Sequence, residues 1–78
     1  MLYSVYGIRY EAALSLIKRL KSSGIDAEIT QGGIAITPVN MFQVNMMSEI
    51  CKKYGTKASK GATPFEESIM MRSRESFA

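Results

Sequence analysis

Few residues in this chain are of a kind that does chemistry. Histidine is absent and Cys51 is the single cysteine. Ser-His-Asp and Cys-His catalysis both need an imidazole base, so neither can be built here. A structural zinc site takes Cys and His ligands and is excluded on the same ground. One thiol forms no intramolecular disulfide, so nothing points to an oxidising compartment. Cys51 lies within an apolar helical stretch, Met47 to Tyr54, and reads as a small core residue rather than a reactive thiolate. Glu66 and Glu67 are neighbours, about 100° apart on a helix, so they do not converge as an acid/base pair. They read instead as first-turn carboxylates that complement the helix dipole. Gly32-Gly33 lacks the spacing of a phosphate-binding loop and reads as a hairpin turn. The expectation is a non-enzyme with no catalytic residue, no cofactor and no metal.

Charge narrows the partners. Ten Lys and Arg against seven Asp and Glu leave a net charge of +3. The basic residues fall into two groups, Lys18, Arg19, Lys21 and Lys52, Lys53, Lys57, Lys60. Both groups sit at expected helix C-termini, where cations complement the dipole, so the bias does not require a nucleic acid.

These residues are positioned by a short chain. Seventy-eight residues make one domain at most, with 46% apolar and 22% charged residues, an ordinary globular composition. No apolar run is long enough to span a membrane, and the start, Met1-Leu2-Tyr3-Ser4-Val5, does not read as a signal peptide. A cytoplasmic location is therefore expected.

Residues 2 to 7, β-branched and aromatic and closed by Gly7, predict a strand. Ala13, Leu16, Ile17 and Leu20 recur at three and four, with Ala12 and Leu14 widening the stripe, so 10 to 23 predicts an amphipathic helix ended by Gly24. Ile25, Ala27 and Ile29 alternate with polar residues, and after Gln31-Gly32-Gly33 so do Ile34 and Ile36, which predicts a β-hairpin. Ile29 and Ile36 are expected to face the helices.

Thr37-Pro38 supplies a cap and a first helical residue. The stripe Val39, Phe42, Met46, Met47, Ile50, Cys51, Tyr54 then predicts a helix over 38 to 54, ended by Gly55. Residues 56 to 62 read as a short edge strand or a loop. Thr63-Pro64-Phe65-Glu66 repeats the start signal with a capping box, predicting a third helix over 64 to 75.

Val5-Tyr6-Gly7, a helix, and then Gly24-Ile25-Asp26-Ala27-Glu28 resemble the opening of a glutaredoxin-like redox protein over about thirty residues. That family carries Cys-x-x-Cys at the start of its first helix, where this chain has Arg9-Tyr10-Glu11-Ala12, so no redox function is carried across.

Two strand–helix–strand units joined by a hairpin place both helices on one sheet face. The expected fold is therefore α+β, a ferredoxin-like βαββα(β) sandwich with an additional C-terminal helix. A three-stranded mixed sheet with three helices is the alternative. Residues 1–62 form the α+β domain and 63–78 the C-terminal helix and tail.

Two functions follow. The first is a small regulator or inhibitor acting by protein–protein contact, a profile shared with toxin antagonists and phage-encoded inhibitors. Six methionines include the adjacent pairs Met46-Met47 and Met70-Met71, and both members of a pair cannot face one core. Phe65, Ile69, Met70 and Met71 are the expected protein-binding residues, with a homodimer as the expected assembly. The second is a basic RNA- or DNA-binding module, using Tyr3 or Tyr6 for stacking with Lys52, Lys53, Lys57 and Lys60. It is weakened by Ile34-Ala35-Ile36-Thr37, a central strand without an aromatic.

Overall fold

The computed structural model describes residues 1–61. The chain runs β1 (Tyr3–Tyr6), α1 (Tyr10–Ser22), β2 (Asp26–Thr30), β3 (Gly33–Thr37), α2 (Met41–Lys53) and β4 (Ser59–Lys60). The strands form one sheet in the order β2-β3-β1-β4, and every neighbouring pair is antiparallel. The described residues form a small α+β arrangement of four strands and two helices. The three-stranded mixed alternative fails because Ser59 and Lys60 pair with Ser4 and Tyr3 and complete a fourth strand.

Side-chain alternation gives the sheet two unlike faces. On the inner face, Ile36 stands between Tyr3 and Ala27, and Ile34 between Val5 and Ile29. Val5, Ala27, Ile34 and Ile36 share one buried cluster with Ala13, Leu16, Ile17 and Leu20 of α1 and Val44, Met47, Ile50 and Cys51 of α2. Both helices therefore cover the same face. On the outer face the corresponding row is Glu28, Ala35, Ser4 and Ser59.

Both helices end alike. Ile25 N–H donates to the Leu20 carbonyl and Gly24 N–H to the Lys21 carbonyl, each at 3.0 Å. Thr56 and Gly55 repeat this pair of bonds onto Cys51 and Lys52. This is the Schellman motif, and it needs the left-handed φ of +80° that Gly24 supplies at no steric cost. Gly33 answers a different demand. A Cβ there would lie 1.9 Å from the Val5 carbonyl oxygen, so the close approach of β3 to β1 admits no side chain.

Three expectations need correction. The stripe of α1 is narrower than its sequence suggests, because Leu14 is exposed. Ile29 shares the inner-face parity of Ala27 but is 41% exposed, because it lies beside the hairpin turn at the rim of the core. The second helix begins at Met41 rather than 38. Asn40, not Thr37, is its cap, and Val39 and Phe42 do not belong to its buried stripe. The helix expected over 64–75 lies outside the described residues.

Candidate functional site: an apolar corner at the start of the second helix

Pro38 is fully buried and anchors the end of β3. The next four residues expose three large apolar side chains: Val39 at 74%, Met41 at 61% and Phe42 at 73%. The geometry of the helix start explains this. Taking Met47 as the centre of the core face, steps of about 100° place Val44, Ile50 and Cys51 within about 60° of it. The same steps carry Phe42 about 140° and Met41 about 120° away, so neither can reach the core. Val39 occupies the position before the cap, from which an apolar residue often staples onto the fifth residue beyond it. Here Val44 turns into the core and Val39 stays in solvent.

Gln43 holds the corner in shape. Its backbone N–H donates to Asn40 Oδ1 at 2.9 Å, capping the helix. Its Oε1 accepts the Val39 N–H at 3.0 Å, which fixes the residue before the cap. Its Nε2 donates to the Gly24 carbonyl at 3.1 Å, tying the corner to the loop after α1. An apolar surface held in this way loses little conformational freedom on binding. Beside it runs a shallow groove lined by Lys21, Gly24, Ile25 and Asp26. Lys21 and Asp26 thus put one cation and one anion at the margin of an apolar centre, the usual anatomy of a protein interface.

The residues expected to act lie elsewhere. Tyr3 is half-buried on the inner face against the core, so it is not free to stack. Tyr6 is exposed on the outer face, the single aromatic of the four strands there. Lys52 and Lys53 close α2 in the helix layer, Lys57 follows in the loop, and Lys60 lies opposite Tyr3 at the other end of β1 from Tyr6. Apart from the Tyr3–Lys60 cross-strand pair, the structure does not bring these tyrosines and lysines together. Phe65, Ile69, Met70 and Met71 lie outside the described residues.

Cys51 is buried in the core cluster, and its desolvation raises the thiol pKa. At the opposite end from the corner, a depression lined by Gly7, Ile8, Tyr10, Ile29 and Thr30 includes no carboxylate or amine. Among the described residues no three His, Cys, Asp or Glu cluster in a metal-binding arrangement, and no helix is long and apolar enough to cross a membrane.

The corner had a sequence signal of its own. Asn40-x-x-Gln43 is a cap followed by Gln at the third helical position, which starts the helix after Val39 and leaves Val39 outside it. Thr37-Pro38 is a competing start signal three residues earlier. No protein-family model, curated protein or solved structure matches the chain.

Proposed function

We propose that this is a small non-enzymatic regulator or inhibitor that acts by contact with another protein, through the corner formed by Val39, Met41 and Phe42. The observation that carries this reading is the exposure of three large apolar side chains within four residues, held by the bonds of Gln43. Scattered exposed apolar residues are ordinary on a protein surface. A rigid group of them with a polar margin is what binding surfaces concentrate. Phe and Met are enriched at interface centres, and Met adapts its shape to the surface it meets.

The ferredoxin-like arrangement is part of the proposal. Its support is the strand order β2-β3-β1-β4, the antiparallel pairing throughout, and two crossovers with their helices on one face. A second copy of the chain is the simplest partner, and a reducing cytoplasm suits its lone buried thiol. The nucleic-acid alternative has weaker support, because among the described residues Tyr6 stands without a second aromatic or a bank of lysines on its face.

The test is sedimentation of the wild type and of Phe42→Asp across a concentration series, followed by affinity capture with both. Phe42 is exposed, so the variant is expected to keep its fold. If the partner is a second copy, the wild type self-associates and the variant stays monomeric. If it is another protein, the wild type captures it stoichiometrically and the variant loses it. Binding that survives Phe42→Asp and disappears on Lys52→Glu with Lys53→Glu, or is salt-sensitive binding to RNA, would overturn the reading.

A further inference from the structure

The outer face of the sheet carries two observations that the described residues leave unexplained. Ser4 is 1% exposed and Ala35 8% exposed, although both point away from the two helices. They are central, on β1 and β3; of the residues around them on this face Gly33 and Ser59 are small, and Tyr6, Glu28 and Thr37 are themselves exposed to solvent. Among the described residues no helix or strand lies over them. Side chains this short on a bare sheet face would meet solvent.

The chain's path points to the cover. After Lys60, Gly61 N–H donates to the Leu2 carbonyl at 2.9 Å. The Ser4 hydroxyl, which stands on the outer face, donates to the Gly61 carbonyl. Gly61 takes a left-handed φ of +103° as the chain leaves the edge strand. The backbone is thus gripped from the outer face at the point where residues 62–78 begin.

We infer that residues 63–78 dock in cis on the outer face of the sheet, over Ser4 and Ala35, and close the second side of a two-layer core. Length agrees. The helix that the sequence predicts over 64–75 would be about 18 Å long at 1.5 Å per residue. The sheet from β4 to β2 is three strand spacings wide, about 14 Å. Charge agrees as well. Asp26 and Glu28 stand on the outer face of β2, the far edge, and Arg72 and Arg74 lie at the far end of the segment. Phe65, Ile69 and Met70 supply the apolar stripe that the notch of small residues accepts. The inference does not depend on the corner's role: it assigns the C-terminal segment to its own domain and leaves Val39, Met41 and Phe42 as the surface that faces partners.

Paired cysteines in the full chain test it. Ala35→Cys is combined in turn with Phe65→Cys, Ile69→Cys and Met70→Cys, and each variant is oxidised with oxidised glutathione at low protein concentration. At least one pair is expected to link within a single chain, migrating as a monomer without reductant. Glu49→Cys with Ile69→Cys, which begins on the exposed side of α2, is expected to remain reduced. Disulfide-linked dimers as the main product, or no link in any of the three pairs, would overturn the inference. The unsubstituted chain provides a readout that no variant can spoil. Nuclear Overhauser contacts from the Ala35 methyl to the side chains of 65–70, unchanged on dilution, are expected, and their absence would equally overturn it.

Discussion

Gln43 and Gly24 stand nineteen positions apart, and the Gln43 amide nitrogen donates to the Gly24 carbonyl at 3.1 Å. This bond joins the first turn of α2 to the loop after α1, so one side chain holds the residue before the helix cap and locks two loops together. Replacing Gln43 with Ala removes this bond and the one to Val39 N–H, while the backbone bond to Asn40 can persist. The expected loss is about 1–2 kcal/mol, read from urea unfolding, since these exposed bonds are each worth about 0.5–1.5 kcal/mol. Partner binding is expected to weaken further than stability, because the corner loses its fixed shape.

Phe42 and Met47 lie on one helix and are expected to respond oppositely. Phe42→Ser is expected to shift stability by no more than about 0.5 kcal/mol, as an exposed substitution does. Met47→Ala opens a cavity in the core and is expected to cost about 2–5 kcal/mol. Chemical denaturation of both variants checks the orientation of α2; equal costs would mean that the helix is rotated.

The register of the central strand is tested by adjacent residues. Ile36 is fully buried between Tyr3 and Ala27, so Ile36→Asp places an unpaired charge in the core and is expected to prevent folding or to shift the carboxyl far above its ordinary pKa. Thr37 is exposed opposite Asp26, and Thr37→Asp is expected to cost at most about 1 kcal/mol from the like-charge pair. Thermal melts in which Thr37→Asp is the worse of the two would place the wrong face inward.

Gly33 and Gly7 both have positive φ, and only Gly33 is also crowded, so comparing them isolates the steric cost. At Gly33 a methyl group would overlap the Val5 carbonyl, so Gly33→Ala must move β3 away from β1 and is expected to cost about 3 kcal/mol or more, the upper end of overpacking. At Gly7, where φ is +74° and nothing lies within 4 Å, Gly7→Ala is expected to cost only about 1–2 kcal/mol of left-handed strain. Unfolding midpoints of the two variants decide it.

Burial raises the Cys51 thiol pKa, and this has a consequence for stability. The folded state holds its proton where the unfolded state gives it up. The contribution is fully present below the ordinary thiol pKa of about 8.5 and is lost as pH rises through that value toward the raised folded one. Comparing stability at pH 7 and pH 10, Cys51→Ala is expected to fall less than the wild type. The wild-type thiol is also expected to react with maleimide only as fast as the core opens.

Much of the fold is legible in local pattern. Alternation in Ile25-Asp26-Ala27-Glu28 and in Ile34-Ala35-Ile36-Thr37, closed by Gln31-Gly32-Gly33, specifies the hairpin, because a period of two can bury only one face. Leu16 and Leu20 with the terminating Gly24 specify α1, because a Schellman motif needs a residue that tolerates positive φ. The absence of imidazole and the single thiol determine, without any structure, that whole classes of catalysis are closed to this chain. Other features depend on neighbours distant in sequence. Ser59-Lys60 is a strand only because the edge of β1 offers it partners fifty-odd positions earlier, and two residues have no periodicity to read. Whether Tyr3 or Tyr6 faces outward follows from β1 pairing with Ile36 and Ile34 of β3, a register that β1 alone leaves open. The corner depends on competition between two start signals. Thr37-Pro38 and Asn40-x-x-Gln43 both suit a helix start locally, and the burial of Pro38 and the reach of Gln43 to Gly24 favour the later one. That three-residue difference leaves Val39 outside the helix, while Phe42 faces solvent because packing buries the arc centred on Met47, and only tertiary structure sets which arc of a helix is buried.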